Sequence, residues 1–137
     1  MRKLQEKKPA ALVCGVLEDG GRILFLLRKD GTGVARLELP SVEVSSQSNQ
    51  VSELSGEFKR QTGIDGEVHE ILFQSLYNTG SRKRKYKIPV FLFKVTAKNR
   101  TARVANEFSG FKWLSVDDAR KQKLGRKLEW LRNETVR

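Results

Sequence analysis

The stretch SELSGEFKRQTGI, residues 52–64, holds the side chains of this sequence best suited to chemistry. If it is helical, Glu53, Glu57, Arg60 and Gln61 share one face. Carboxylates grouped on a helix can hold a hard divalent cation, which requires several oxygen ligands in near-octahedral array. Arg60 opposes that use, because its fixed positive charge repels a cation and can pair with Glu57 three residues earlier or with Glu53. Two readings of Arg60 follow. It holds a ligand phosphate directly, since a guanidinium suits phosphate oxygens. Or it forms an exposed ion pair with Glu57, an interaction that contributes little.

A second cluster is SRKRKYK, residues 81–87, where Arg82, Lys83, Arg84, Lys85 and Lys87 surround Tyr86. Cations with an interleaved aromatic suit a phosphate backbone and a stacked base. A run this short is also what a solvated hairpin tip looks like. The whole chain carries 27 Lys+Arg against 16 Asp+Glu, a formal charge of +11. Such a field attracts polyanions: nucleotide phosphates, nucleic acid or acidic lipid.

Other chemistries are excluded by the residues themselves. Cys14 is the only cysteine, so neither an internal disulfide nor a cysteine zinc site can form. It lies in the apolar run AALVCGVL and reads as a small buried hydrophobe. The serines at 41, 45, 46, 48, 52 and 55 lack a Gly-x-Ser-x-Gly elbow, and the single histidine, His69, offers no triad. No segment approaches the roughly 20 apolar residues of a membrane span. The start MRKLQEKKP lacks the apolar segment of a signal peptide. A cytoplasmic protein without a membrane partner is expected.

The elements that must position these residues follow from the pattern. With 137 residues, 38% of them hydrophobic, one domain spanning 1–137 is expected, with residues 1–9 as a basic N-terminal tail. Ala10 to Leu17 reads as a buried strand, EDGG as a hairpin turn and RILFLLRK as a second strand without a wet face. LELP is a short extended piece, and the serine-rich SVEVSSQSNQ a loop. Ser48 or Asn49 caps a helix beginning near Gln50, with Val51, Leu54 and Phe58 as its buried stripe and Gly63 as its stop. EVHEILFQSLYN and YKIPVFLFKVTAK read as strands, with Pro89 marking a bulge or an edge. FSGFKWLS reads as a short strand. Ser115 and Asp118 resemble a capping box before a terminal helix carrying Leu124, Leu128 and Leu131, broken near Gly125. Five to seven strands with helices packed on them make an α/β (α+β) fold around a mixed sheet.

LELPSVEVSSQSNQVSELSGEFKRQTGI resembles a Nudix box, G-x5-E-x7-R-E-U-x-E-E-x-G-U, where U is bulky and the lead-in is usually LP-G-G. Anchored on Gly63, the matches are Leu39-Pro40, Glu57, Phe58, Gly63 and Ile64. The departures are Ser41 and Val42 for two glycines, Ser48 for the first glutamate, Gly56 for the arginine, and Arg60 and Gln61 for the paired glutamates. The resemblance covers residues 10 to about 135, including NEFSGFKWLSVDDA, where Glu107 matches a glutamate that helps bind metal in many Nudix domains. It implies a mixed β-sheet sandwiched between helices. An intact member would use Mg2+ or Mn2+ to hydrolyse a nucleoside diphosphate linked to another group. Here Glu57 would be catalytic, and Glu57 with Glu107 would hold the metal. The missing glutamates lead instead to a divergent Nudix-fold protein with weak or no hydrolase activity. Its basic surface binds nucleotide or nucleic-acid phosphates through Arg60, Gln61 and the 82–87 run. An active pyrophosphohydrolase and a protein-interaction scaffold are the alternatives, and the oligomeric state is left open.

Overall fold

β1, Ala11–Asp19, is the strand on which the others are laid. The computed structural model describes residues 9–47, 49–81 and 83–133. Along β1 successive side chains point to opposite faces. Leu12, Cys14 and Val16 enter one core cluster, while Ala11, Val13 and Leu17 enter two clusters on the other side. Both faces are therefore covered, which explains the unbroken apolar run in the sequence.

β2 (Arg22–Lys29) follows across the Gly20-Gly21 turn, both glycines having positive φ. β3 (Ala35–Glu38), β4 (Ser41–Val44), β5 (Glu67–Asn78), β6 (Lys87–Thr96) and β7 (Gly110–Leu114) complete a seven-stranded sheet. Its order is β3-β2-β1-β6-β5, with β4 added to β1 and β7 to β2. β1 and β6 are parallel and the other pairs antiparallel, so the sheet is mixed.

The helix α1, Gln50–Thr62, packs on one face through Leu54 and Phe58. The short helix α2 (Val116–Arg120) and a 3-10 helix (Arg126–Asn133) cover the other, burying Ala119, Leu124, Leu128 and Leu131. Trp130 stacks on Phe73 of β5 with ring centroids 5.7 Å apart. This is the expected mixed sheet between helices.

Two local expectations are corrected. SVEV is not loop: it pairs antiparallel with β1, from Ala11↔Val44 to Cys14↔Ser41. Its two buried ends, Ser41 and Val44, were masked in the sequence by the polar residues after it. Val51 is 43% exposed, because the buried stripe of α1 runs through Leu54, Phe58, Gln61 and Thr62 instead. The expected break near Gly125 is present and divides the C-terminal segment into two short helices. Leu124 bridges to Leu37, and the Gly125 amide donates to the Leu37 carbonyl, which fixes an extended link between them. Pro89 lies one residue before the β1 ladder begins at Val90, so its missing donor is harmless there.

Gly15 of β1 sits under the Phe58 ring. A Cβ there would lie 2.7 Å from Phe58 Cδ2 and 3.2 Å from Val95 Cγ2. Gly15→Ala should therefore destabilise the fold by about 1–3 kcal/mol, the usual cost of overpacking, as read by urea denaturation. Gly56→Ala, where a Cβ meets open space, should instead stabilise by about 0.5–1 kcal/mol.

Candidate functional site

The site is built on the last turn of α1. Asn49 caps the helix start, its side chain accepting from the Ser52 amide. Gly63 ends the helix in the left-handed conformation, φ 73°, with its N–H donating to the Lys59 carbonyl. The last carbonyls of a helix have no partner within it. Here the segment after β6 supplies them: the Arg103 amide donates to the Thr62 carbonyl at 2.7 Å, and the Ala105 amide to the Gln61 carbonyl at 3.0 Å. Phe108 then buries, and the Ser109 amide donates to the Leu27 carbonyl. Glu107, held between these anchors, is brought against α1.

Arg60 lies between Glu57 and Glu107. Its Nε is 3.1 Å from both Glu57 oxygens and its Nη2 is 3.0 Å from Glu57 Oε1. The outer edge of the same guanidinium meets Glu107 end-on, Nη1 to Oε1 at 3.1 Å and Nη2 to Oε2 at 2.7 Å. Most of its donor capacity is taken up by these two carboxylates. The guanidinium draws both carboxyls below the ordinary glutamate value, and they in turn raise its own pKa.

Gln61 is turned inward and is 6% exposed. Its Nε2 donates to the Ser41 carbonyl at 2.7 Å and to Glu57 Oε1 at 3.0 Å, while its Oε1 accepts from the Ser41 amide at 3.2 Å. One amide thus joins the helix to the start of β4 and adds a third donor to Glu57 Oε1. Glu53 is exposed on α1. Ser48 lies outside the described residues.

The cleft around this cluster is about 250 Å³ and includes Arg28, Glu38, Glu43 and Lys127. Arg28 pairs with Glu38 at 3.1 Å and lies 4.8 Å over the Phe108 ring. Sequence reasoning missed these residues. The signal for Glu38 was a lone charge inside LELP, now seen to be buried; nothing in the sequence pointed to Lys127. The cleft holds four carboxylates (Glu38, Glu43, Glu57, Glu107) and three cations (Arg28, Arg60, Lys127), so it is close to neutral.

Do these donors fit a divalent cation? Glu57 and Glu107 have the right chemistry, but the guanidinium stands where the charge of a metal would be. Gln61 turns its N–H, not an oxygen, toward Glu57. Among the described residues no group of three His, Cys, Asp or Glu is placed to hold a metal ion. The donor set does not fit Mg2+ or Mn2+.

The basic run forms a tight loop extending the β5–β6 ladder. The Thr79 amide donates to the Tyr86 carbonyl at 2.8 Å, and the Ser81 amide to the Arg84 carbonyl at 3.0 Å. Asn78 Oδ1 receives the amides of Gly80 and Tyr86, both at 3.0 Å. Lys83, Arg84, Lys85 and Lys87 are exposed, and their side chains make no ion pair among the described residues. Tyr86 is 39% exposed, with its hydroxyl donating to the Pro9 carbonyl. Arg82 lies outside the described residues. Arg126 donates to the carbonyls of Asn78 and Gly80, and its neighbour Lys127 lines the Arg60 cleft. Adjacent residues at the start of the 3-10 helix thus border the two, Arg126 the loop and Lys127 the cleft. His69 is remote from both, its ring 2.7 Å from the Thr96 hydroxyl.

No family model and no curated protein sequence matches the chain. Solved structures do. The E. coli ORF135 protein superposes with a TM-score of 0.68 at 19% identity, over 92% of this chain and 88% of that one. A Nudix hydrolase from Nitrosomonas europaea gives 0.63 at 17% identity, over 84% and 78%. The E. coli dihydroneopterin triphosphate pyrophosphohydrolase gives 0.67 at 15% identity, over 95% and 100%. At such identities the likeness is one of fold, and the chain has the Nudix fold.

Two predictions test the cluster. In wild type, Glu57 and Glu107 should titrate below 4.5, and in Arg60→Gln both should move up toward it, as followed by carboxyl NMR. Because their folded values are depressed, their stabilising contribution is present above the unfolded value and is lost as pH falls through the folded one. Arg60→Gln should therefore flatten the acid limb of the stability profile. Gln61→Glu should cost about 2–3 kcal/mol at neutral pH. It sets a carboxylate against the Ser41 carbonyl and the Glu57 carboxylate. The loss should shrink as pH falls, since a protonated acid at position 61 can donate as the amide does.

Proposed function

We propose that this Nudix-fold chain is a binding module that holds nucleotide or nucleic-acid phosphates on its basic loop and does not hydrolyse them. The observation that carries the reading is Arg60, lodged between Glu57 and Glu107. Hydrolysis of a diphosphate at this place would need those carboxylates free to take a cation. With the guanidinium there, both carboxylates are already paired from within the chain.

Charge decides where a phosphate goes. The cleft is near neutral, and Arg60 has little donor capacity left for a ligand. Lys83, Arg84, Lys85 and Lys87 carry four positive charges without a partnered carboxylate among the described residues. Their frame is fixed by Asn78 and braced by Arg126, so less order must be imposed on binding. Tyr86 stands among them and offers a ring to a base. Gln61 is a positioning residue that ties α1 to β4. Solved structures of the same fold include a NUDIX domain of Shewanella oneidensis NrtR complexed with ADP ribose and a C. elegans Ap4A hydrolase binary complex. Those ligands belong to those proteins. They support a nucleotide phosphate as the ligand class to try first.

The test has two arms. A panel of nucleoside diphosphate derivatives is incubated with Mg2+ or Mn2+ and with chelator, alongside Glu57→Gln. No metal-dependent cleavage above that variant is expected; cleavage that vanishes in it would restore the enzyme reading. Fluorescence anisotropy with labelled single-stranded RNA and a labelled nucleotide then measures binding against salt. Affinity should fall with salt, and the Lys83→Glu, Lys85→Glu double variant should flatten the slope by about 0.7 for each phosphate it no longer neutralises. Salt-independent or absent binding would leave the scaffold reading in its place.

A further inference from the structure

The C-terminal segment leaves a hollow over the sheet. α2 has five residues and the 3-10 helix eight. The link between them is pinned to β3: the Leu37 amide donates to the Lys123 carbonyl and the Gly125 amide to the Leu37 carbonyl, both at 2.8 Å. The two pieces therefore do not run on as one helix across the strands. A cavity of about 310 Å³ stays open between them and the sheet. Val16, Phe25 and Leu92 form its floor, and Val116, Leu128 and Leu131 its cover. Leu72 also lines it and is 47% exposed although apolar. Among the described residues, the charged side chains that line it are Glu18 and Asp117, both carboxylates. Glu18 pairs with Ile23 across β1 and β2, and Ile23 with Leu114 across β2 and β7. Glu18 and the chain entering α2 thus meet at the same end of the hollow. It shares no residue with the Arg60 cleft or the basic loop.

We propose that this hollow binds a small aromatic amine, with the ring in the apolar cavity and the ammonium at Glu18 and Asp117. Size sets the first half of the assignment. An apolar cavity of about 150 Å³ holds a benzene ring, so one twice as large takes a ring with a short chain. Phe25 and Trp130 both line it, which favours a ring over a flexible alkyl chain. Charge sets the second half. The Glu18 carboxylate makes no ion pair among the described residues. Asp117 meets Arg120 at 3.5 Å, with its side chain 88% exposed. An ammonium finds acceptors at this mouth, whereas an anionic ligand meets its own sign. The +11 charge of the chain opposes a cation from afar. At physiological salt that field is screened beyond about 8 Å, so the two local carboxylates decide.

This inference stands apart from the phosphate reading and holds whether or not the basic loop binds a ligand. The full chain is titrated at physiological salt with phenethylammonium, phenethyl alcohol and phenylacetate, and followed by NMR at the Trp130 indole N–H and the Leu128 and Leu131 methyls. Phenethylammonium should give saturable shifts at these residues. It should bind about tenfold tighter than phenylacetate, since each exposed carboxylate modestly favours one sign and opposes the other. Glu18 and Asp117 are both exposed, so Glu18→Gln with Asp117→Asn should leave the fold intact. That pair should erase the preference and leave phenethyl alcohol bound as before. Val116→Phe, which fills the hollow from a half-buried position, should abolish binding of all three probes. No saturable shift with phenethylammonium would overturn the proposal. So would phenylacetate binding as tightly, a preference that survives loss of both carboxylates, or amine binding untouched by Val116→Phe. Should Val116→Phe fail to fold, the charge substitutions still decide the matter.

Discussion

Burial of β1 on both faces is the constraint on which the molecule depends. Three strands bond to it: β4 along its first half, β2 at its far end, and β6 in parallel along its length. Its residues alternate between α1 on one side and the C-terminal helices on the other. A parallel neighbour requires a long crossover between the strands. That crossover is where β2, β3, β4, α1 and β5 are found, so the candidate site lies on the connection that the central pair demands.

The site in turn depends on how α1 ends. Four main-chain carbonyls at the close of a helix need donors. The segment after β6 answers two of them, and in doing so presents Glu107 to Arg60. The cluster is therefore a by-product of capping as much as of side-chain attraction. Gln61 fixes the other side by pinning Ser41, the first residue of β4. The three charged groups sit in a frame of backbone bonds that would exist without them.

Much of this could be read from the sequence. The central strands, α1 with its Asn49 and Gly63 ends, and the helical sandwich followed from apolar runs, caps and a resemblance carried by few residues. β4 escaped notice because four residues, only two of them buried ends, give a weak alternation beside a serine-rich tract. The broken terminal helix followed only in part: Gly125 marked the break, but the bridge from Leu124 to Leu37 spans 87 positions and leaves no local trace. At the site, the pairing of Glu57 with Arg60 was legible from i,i+3 spacing. The third member, Glu107, entered through the resemblance. Lys127 and the buried amide link from Gln61 to Ser41 arise from tertiary contact alone, and no spacing rule reaches them.

Cys14 lies at the middle of β1, and its burial lifts the thiol pKa to about 12. A thiolate is the reacting form, so the native protein is in effect free of reactive sulfur. A probe can be attached through a cysteine introduced on the surface while Cys14 stays in place. Conversely, modification of Cys14 requires the central strand to part from its neighbours. Its slow labelling would clock the opening of the whole sheet, from a reporter that the chain already carries.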